Sequence, residues 1–313
     1  SKDRELICFS EEEAHICTVF EKKGILHKID MHLRKNKTKG IAIDGVPIRK
    51  ASELFGLIHF VFFSPEDLSI IKNGPAERRH FLDSELCQLD KVYLYQLSNY
   101  NKVVLQRNKL LKELYLHPDY REVLDVLDMQ LVQYGSALIQ RRQTFAEELG
   151  EIVHRIHSQL SGGQEEMELK YEPNVTVDAF AQMLFANRER DMRLKTTATG
   201  PHRDDISFVV NGVDIRKFGS QGQQRTAALS LKLSEIELVK RLIGDTPVLL
   251  LDDVLSELDS GRQNYLLNSI ENIQTLITCT GLDEFVNHRF SINRIYKVTD
   301  GSVTVENKQE ADR

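Results

Sequence analysis

Two adjacent carboxylates, Asp252 and Asp253, close an unbroken apolar run, Val248-Leu249-Leu250-Leu251. A run apolar on both faces is expected of a strand inside a parallel sheet. Acid at the carboxyl end of such a strand is costly to desolvate unless a cation or a water-filled crevice receives it. One carboxylate would hold a divalent cation and its neighbour would orient or deprotonate a water. A plain solvated Asp-Asp turn explains the same pair. A second feature lies upstream, where Gly219-Ser220-Gln221-Gly222-Gln223-Gln224-Arg225 opens a long helical pattern. A helix start offers unpaired N–H groups and about half a positive charge, which suits an anion. Gly222 lets a phosphate approach the backbone, and Ser220 and Gln223 add hydrogen bonds.

Taken in order, these stretches and the Ser256-Glu257-Leu258-Asp259 that follows resemble the signature, Walker B and D-loop series of the ATP-binding-cassette class. The order and spacing are more specific than any single piece. On that resemblance Asp252 would hold Mg²⁺ and Asp253, where many relatives carry Glu, would act on the attacking water. Ser220, Gln221, Gly222 and Gln223 would cap the γ-phosphate of ATP held by a second copy, and Glu257 and Asp259 would form a D-loop at the dimer seam. One part is absent: no G-x-x-x-x-G-K-[ST] occurs in the 313 residues. The nearest imitation, Gly219 to Thr226, has Gln224 where the second Gly must fall. Without that loop the chain should bind ATP and Mg²⁺ weakly and hydrolyse essentially none. Because the sequence starts at Ser1 in what reads as mid-domain, an upstream piece carrying the loop is expected.

The elements that must position these residues follow from periodicity. Residues 13 to 48 read as a β meander with turns at Lys23-Gly24 and Asp44-Gly45. Leu57 to Phe63 is a second buried strand, and Ser64-Pro65-Glu66-Asp67 is a strong helix start. From Val92 to about Gln159 two apolar stripes, separated by His117-Pro118, predict an antiparallel pair of long helices. Ser161-Gly162-Gly163-Gln164 imitates a cassette signature, but acid follows it and no helix does, so it reads as a decoy loop. Beyond it come a strand at Met167 to Tyr171, a helix at Val177 to Arg190, and a strand pair around Asn211-Gly212. The signature helix runs from Gly222 to Ile243. A helix over 260–271, a strand at Gln274 to Cys279 and a closing hairpin over 294–306 complete the chain.

Composition bounds the class. Hydrophobic content is 41% and charged content 28%, ordinary for a globular protein with a sizeable core. No apolar run approaches a membrane span. Cys8, Cys17, Cys87 and Cys279 are scattered, which predicts reduced core thiols in a cytoplasm, with no zinc site. The net charge of −6 leaves room for local basic contacts. Candidates for contact with DNA or a partner subunit are Arg34, Lys35 and Lys37 in a basic loop, Arg78 and Arg79, Arg141 and Arg142 on an outer helix face, and His202 with Arg203. Ordinary solvation is the competing explanation for the basic loop and for Arg141 and Arg142, and a structural role is the competing explanation for His202.

Further motifs sharpen the resemblance. These are Ser64-Pro65-Glu66-Asp67-Leu68, Gly74-Pro75 with Arg78-Arg79 and Phe81-Leu82-Asp83, and Gly200-Pro201-His202-Arg203-Asp204-Asp205. With Ser220-Gln221-Gly222-Gln223 and Leu251-Asp252-Asp253 through Asp259, the chain resembles the RecF family of bacterial gap-repair ATPases from end to end. The resemblance implies an α/β fold: a P-loop NTPase sheet domain like a cassette-ATPase head, with an inserted helical lobe II and with its N-terminal strands and P-loop missing. Residues 1–63 and 196–313 would form the head and 64–195 the helical lobe. It implies ATP-dependent dimerisation on single- and double-stranded DNA and partnership with RecR, RecO and RecA. Gly219, where a Leu is common, and the absence of a switch His in Thr278 to Thr280 argue against a transporter-like hydrolysis mechanism. Two rivals are another chromosome-maintenance ATPase head, which should carry a longer coiled coil, and a non-hydrolysing DNA- or protein-binding fragment.

Overall fold

The computed structural model describes residues 3–113, 121–280 and 292–306. An antiparallel meander comes first: β1 (Glu13–Lys22), β2 (Ile25–Arg34), β3 (Gly40–Ile43) and β4 (Val46–Pro47). Both expected turns are present. Lys23 and Gly24, and Asp44 and Gly45, all take positive φ, as a two-residue turn matched to strand twist requires.

Next come β5 (Phe60–Phe63), the short α1 (Leu68–Lys72), α2 (Pro75–Leu89) and the long pair α3 (Lys91–Glu113) and α4 (Arg121–Leu160). The helix start at Ser64 is a reciprocal cap, with the Asp67 carboxylate accepting the Ser64 N–H at 2.7 Å. α3 packs along α4. The expected break at His117-Pro118 lies outside the described residues. β6 (Met167–Glu172) follows as expected. The single helix expected over Val177 to Arg190 is instead two, α5 (Phe180–Ala186) and α6 (Arg188–Leu194), joined at Asn187. The Asn187 amide donates to Thr199 Oγ1 at 2.9 Å, which pins the joint to the following strand connection.

β7 (Asp205–Val210) and β8 (Val213–Asp214) pair across Asn211-Gly212. Ile215 starts α7 (Ile215–Phe218), where Asp214 caps the Arg216 N–H. α8 (Gln221–Ile243), β9 (Val248–Asp252), α9 (Ser260–Ser269), β10 (Thr275–Thr278), β11 (Ile295–Thr299) and β12 (Ser302–Glu306) complete the order. β6 is hydrogen-bonded to β7, so strands from residues 64–195 and 196–313 share one sheet, ordered β6-β7-β8.

The sheet that carries the aspartate pair is parallel, in the order β10-β9-β5. Its Val61, Phe63, Leu249 and Leu251 are buried on the side where α8 packs. The expectation that this strand is buried on both faces needs correction. Phe62, Leu250 and Leu276 form one cross-strand row on the opposite face, and Phe60, Phe62 and Leu276 are exposed. The strand expected from Leu57 is also shorter, starting at Phe60. Among the cysteines only Cys87 is a core thiol; Cys8, Cys17 and Cys279 are exposed, contrary to the sequence reading.

Beneath that sheet α8 brings Lys232 and Glu235 against Glu85 of α2 and Asp67, and Lys232 Nζ lies 2.5 Å from Glu235 Oε2. Three carboxyls share one ammonium, so burial pushes the Glu85 carboxyl up to about 6 despite Lys232. The folded state therefore holds a proton that the unfolded chain releases near 4.5. This group's contribution is present below pH 4.5 and is lost as pH rises through about 6, a change of about 2 kcal/mol. Glu85→Gln should accordingly flatten the fall in stability between pH 4.5 and 6.5. Urea midpoints of the two proteins across that range check the expectation.

Candidate functional site

The signature helix is built as its sequence demands. Ser220 accepts the Gln223 N–H at 3.2 Å, and Gln223 Oε1 accepts the Ser220 N–H at 3.0 Å. This reciprocal box fixes the start of α8, while Ser220, Gln221 and Gly222 stay exposed. A Cβ on Gly222 would meet nothing but Ser220 Oγ at 3.9 Å. Nothing inside the chain demands a glycine there, which leaves room for a group arriving from outside. Gly219 is different, because a Cβ would stand 2.7 Å from Ile215 Cβ and 2.8 Å from its carbonyl oxygen. The tight passage from α7 into α8 requires it, which accounts for a glycine where Leu is common. Gln224 is turned inward and donates to the Ile215 carbonyl at 2.8 Å.

One residue of this site was missed in the sequence. Glu165, at the end of the decoy loop, accepts from Gln223 Nε2 at 2.9 Å with one oxygen and faces His157 Nε2 at 3.1 Å with the other. The imidazole of His157 reaches Ser230 of α8 at 3.0 Å. The end of α4 thus grips the signature helix at two points. The acid that argued against this loop as a phosphate site is the group that orients Gln223. The sequence signal was the run Ser161 to Glu165 itself, although its partner lies 58 residues away.

At the end of β9 the Asp252 carboxylate is exposed, and its Oδ1 accepts from Thr278 Oγ1 at 2.5 Å. Its other oxygen has no hydrogen-bond partner among the described residues. Mg²⁺ is commonly held by one or two carboxylates together with substrate phosphates. No cluster of three or more candidate ligand side chains exists among the described residues, and Asp252 fits that sparse mode. Asp253 adopts φ 51°, a conformation that Asp tolerates better than most residues. Its N–H reaches both the Thr278 carbonyl and hydroxyl oxygens at 3.2 Å. This clamp turns the chain sharply into the Leu255–Glu257 turn.

The D-loop residues have partners within the chain. Glu257 pairs with Arg225 of the signature helix at 2.7 Å. Asp259 caps α9 by accepting the Arg262 N–H at 3.0 Å, and Arg262 also reaches Thr226 of α8 at 2.5 Å. That backbone hydrogen bond holds the Asp259 carboxyl below its usual range. Signature and D-loop are therefore tied together within one copy.

The basic candidates divide sharply. Arg142, expected on an outer face, is buried. It donates to Asp83 at 2.7 Å, Asp204 at 2.9 Å, the Pro201 carbonyl at 2.6 Å and the Tyr93 hydroxyl at 2.9 Å. Arg78 is buried too, forked onto Asp205 at 2.5 and 3.0 Å. Neither can reach a surface ligand. His202 is also committed. Its Nε2 faces the Thr197 carbonyl at 2.9 Å, so it carries the proton, and Nδ1 accepts from the Tyr100 hydroxyl at 2.7 Å. Burial drives its pKa down to about 4, so the ring is neutral. Arg141 pairs with Asp90 at 3.3 Å, Lys35 with Glu12 at 3.6 Å and Arg34 loosely with Glu13 at 4.0 Å. Exposed Lys37 and Arg203 have no carboxylate partner among the described residues, and Arg79 shares that condition.

No family model matches the chain. It is 60% identical over 309 residues to the DNA replication and repair protein RecF of Lachnospira eligens, covering 98% of this chain and 85% of that one. The RecF protein of Agathobacter rectalis is 61% identical over 305 residues, covering 97% and 84%. The solved structure of the recombination mediator protein RecF-ATP in the RecFOR pathway superposes with a TM-score of 0.90 at 34% identity. That match covers 98% of this chain and 83% of the other. An Smc head domain with an extended coiled coil from Pyrococcus furiosus, at TM-score 0.51 and 12% identity, shares the fold alone. A cassette-type head bearing a short helical arm, matched almost end to end at this identity, makes the chain a member of the RecF family of DNA replication and repair proteins.

Proposed function

We propose that this chain acts as an ATP-dependent DNA-binding protein of recombinational gap repair and replication restart. It dimerises on DNA with ATP and acts in the cytoplasm with RecO and RecR to load RecA. The observation that carries this reading is the exposed, boxed start of α8 with an unobstructed Gly222, on the same chain as an exposed Asp252 ending β9. An anion-binding helix start and a cation-binding carboxylate on one chain suit a nucleotide sandwiched between two copies. Ser220, Gln221, Gly222 and Gln223 cap the triphosphate held by the partner. Asp252 holds Mg²⁺, which offsets phosphate charge when bound, and Asp253 orients the water. Glu257 and Asp259 present the D-loop. Family names among the relatives and the RecF-ATP neighbour support the nucleotide and the pathway. Lys37 and Arg203, exposed and unpaired by carboxylates, are the phosphate contacts we favour among the basic candidates.

The 313 residues contain no phosphate-cradling glycine loop, and the chain spans about 85% of the length of its relatives. We infer that ATP binds tightly only when that loop is supplied. ATP-dependent cross-linking and ATPase assays on this chain and on a full-length relative's equivalent test the reading. Dimerisation and turnover should appear only with the loop present; a full-length protein that shows neither overturns it.

A further inference from the structure

A cavity of about 270 Å³ opens where α2, α3 and α4 meet the turn at Pro201–Arg203, and none of its lining residues belongs to β9 or α8. Arg79 and His80 line it from α2, Tyr100 and Asn101 from α3, Arg142 from α4, and His202 from the turn. Around it lie three carboxylates, and each is already committed. Asp83 is held by Arg142 and Tyr93, Asp204 by Arg142, Tyr171 and the Asn174 N–H, and Asp205 by Arg78 and Arg216. Arg142 is spent on the first two and Arg78 on the third.

The guanidinium of Arg79 is thereby left over. It is half-buried, and its one acceptor among the described residues is the backbone carbonyl of Asp204, at 2.8 Å. Arg203, on the adjacent turn, reaches only the Thr197 carbonyl among the described residues, at 3.3 Å. The imidazole of His202 adds no compensating charge, because both ring nitrogens are used and the ring is neutral. A half-buried cation lining an open cavity, with Asp205 and Asp204 near it but hydrogen-bonded to other groups, is incompletely compensated, and an anion seated there would supply the rest. Burial first and Arg142 next shift Arg79 in the direction of its neutral form, and the attraction of Asp205 and Asp204 offsets this only in part.

We propose that this cavity is a phosphate-binding site, with Arg79 as its principal ligand, Arg203 on the neighbouring turn as an outer charge, and the exposed Asn101 amide and His80 able to complete the donor set. A guanidinium fork matches phosphate oxygens, and a charge-assisted pair of this kind is about twice as strong as a neutral one. The volume suits one phosphoryl group with at most an attached sugar, below the usual range for drug-sized ligands. The phosphoryl group comes either from a nucleic-acid backbone or from a free nucleotide. This site is separate from the α8 and β9 nucleotide site and does not depend on it.

Calorimetric titration of this chain at low salt with inorganic phosphate, thymidine monophosphate and a twelve-residue oligothymidylate tests the proposal. Arg79→Gln should weaken at least one of the three by about tenfold or more, the loss expected for one charge-assisted hydrogen bond. Arg190→Gln, altering an exposed arginine on α6, should leave all three unchanged. Weakening of the small ligands points to a free nucleotide, and weakening of the oligonucleotide alone points to the backbone. Arg203→Gln, at an exposed position whose loss spares the fold, should give a smaller drop of the same kind. No measurable binding of any ligand, equal binding by wild type and Arg79→Gln, or displacement of phosphate by oligoglutamate at equal concentration would overturn it. Loss of ATP-dependent dimerisation on Ser220→Ala reports on the other site, so the two can fail separately.

Discussion

The equivalent of Asp253→Asn in a full-length relative should retain ATP-dependent dimerisation while hydrolysis falls by about 100-fold or more, the usual contribution of a positioned general base. The separation follows from the geometry at the end of β9. On the proposed reading Asp252 would supply the carboxylate for the cation; it is exposed and braced by Thr278 Oγ1. Asp253 is held through its N–H by Thr278 and is turned away from the strand by its positive φ. Asn tolerates that backbone conformation nearly as well as Asp, so the fold should be unaffected. Asp252→Asn should behave otherwise, weakening Mg²⁺-dependent nucleotide binding and dimerisation together. Single-turnover hydrolysis, with sedimentation in the presence and absence of ATP, distinguishes the two. Equal turnover in wild type and Asp253→Asn would remove Asp253 from the chemistry.

Arg142→Met should be the most damaging single change to stability, at about 3–5 kcal/mol, because it strands buried charge. Asp204 is fully buried and relies on Arg142, Tyr171 and the Asn174 N–H, and Asp83 shares Arg142 with Tyr93. Removing the guanidinium also leaves the Pro201 carbonyl with only the longer Asp204 N–H bond, at 3.3 Å. Lys at 142 keeps the charge but cannot span four acceptors, so Arg142→Lys should recover only part of the loss. Chemical denaturation of the three proteins measures this. Because the network joins α2, α3 and α4 to the Pro201–Arg203 turn, the unfolding midpoint and the order of the cavity beside it should fall together.

The sequence by itself determined the pieces whose signals are local. A capping box, a two-residue turn and a strand ending in acid are each set by neighbours within a few residues, so the start of α8, the β1–β4 meander and the Asp252-Asp253 terminus were legible. The family was legible for the same reason, since its motifs are short runs in a fixed order. Tertiary structure decided everything that depends on a partner distant in the chain. Arg142 and Arg141 are adjacent on one helix, yet one is buried against Asp83 and Asp204 while the other stays near the surface. His202 looked free for a ligand until Tyr100, 102 residues away, occupied its second nitrogen. Glu165 looked like a repulsive acid until packing of α4 on α8 set it against Gln223. A charged side chain declares its charge in sequence, but its role depends on whether folding supplies an opposite charge within hydrogen-bond reach, and only the three-dimensional arrangement fixes that.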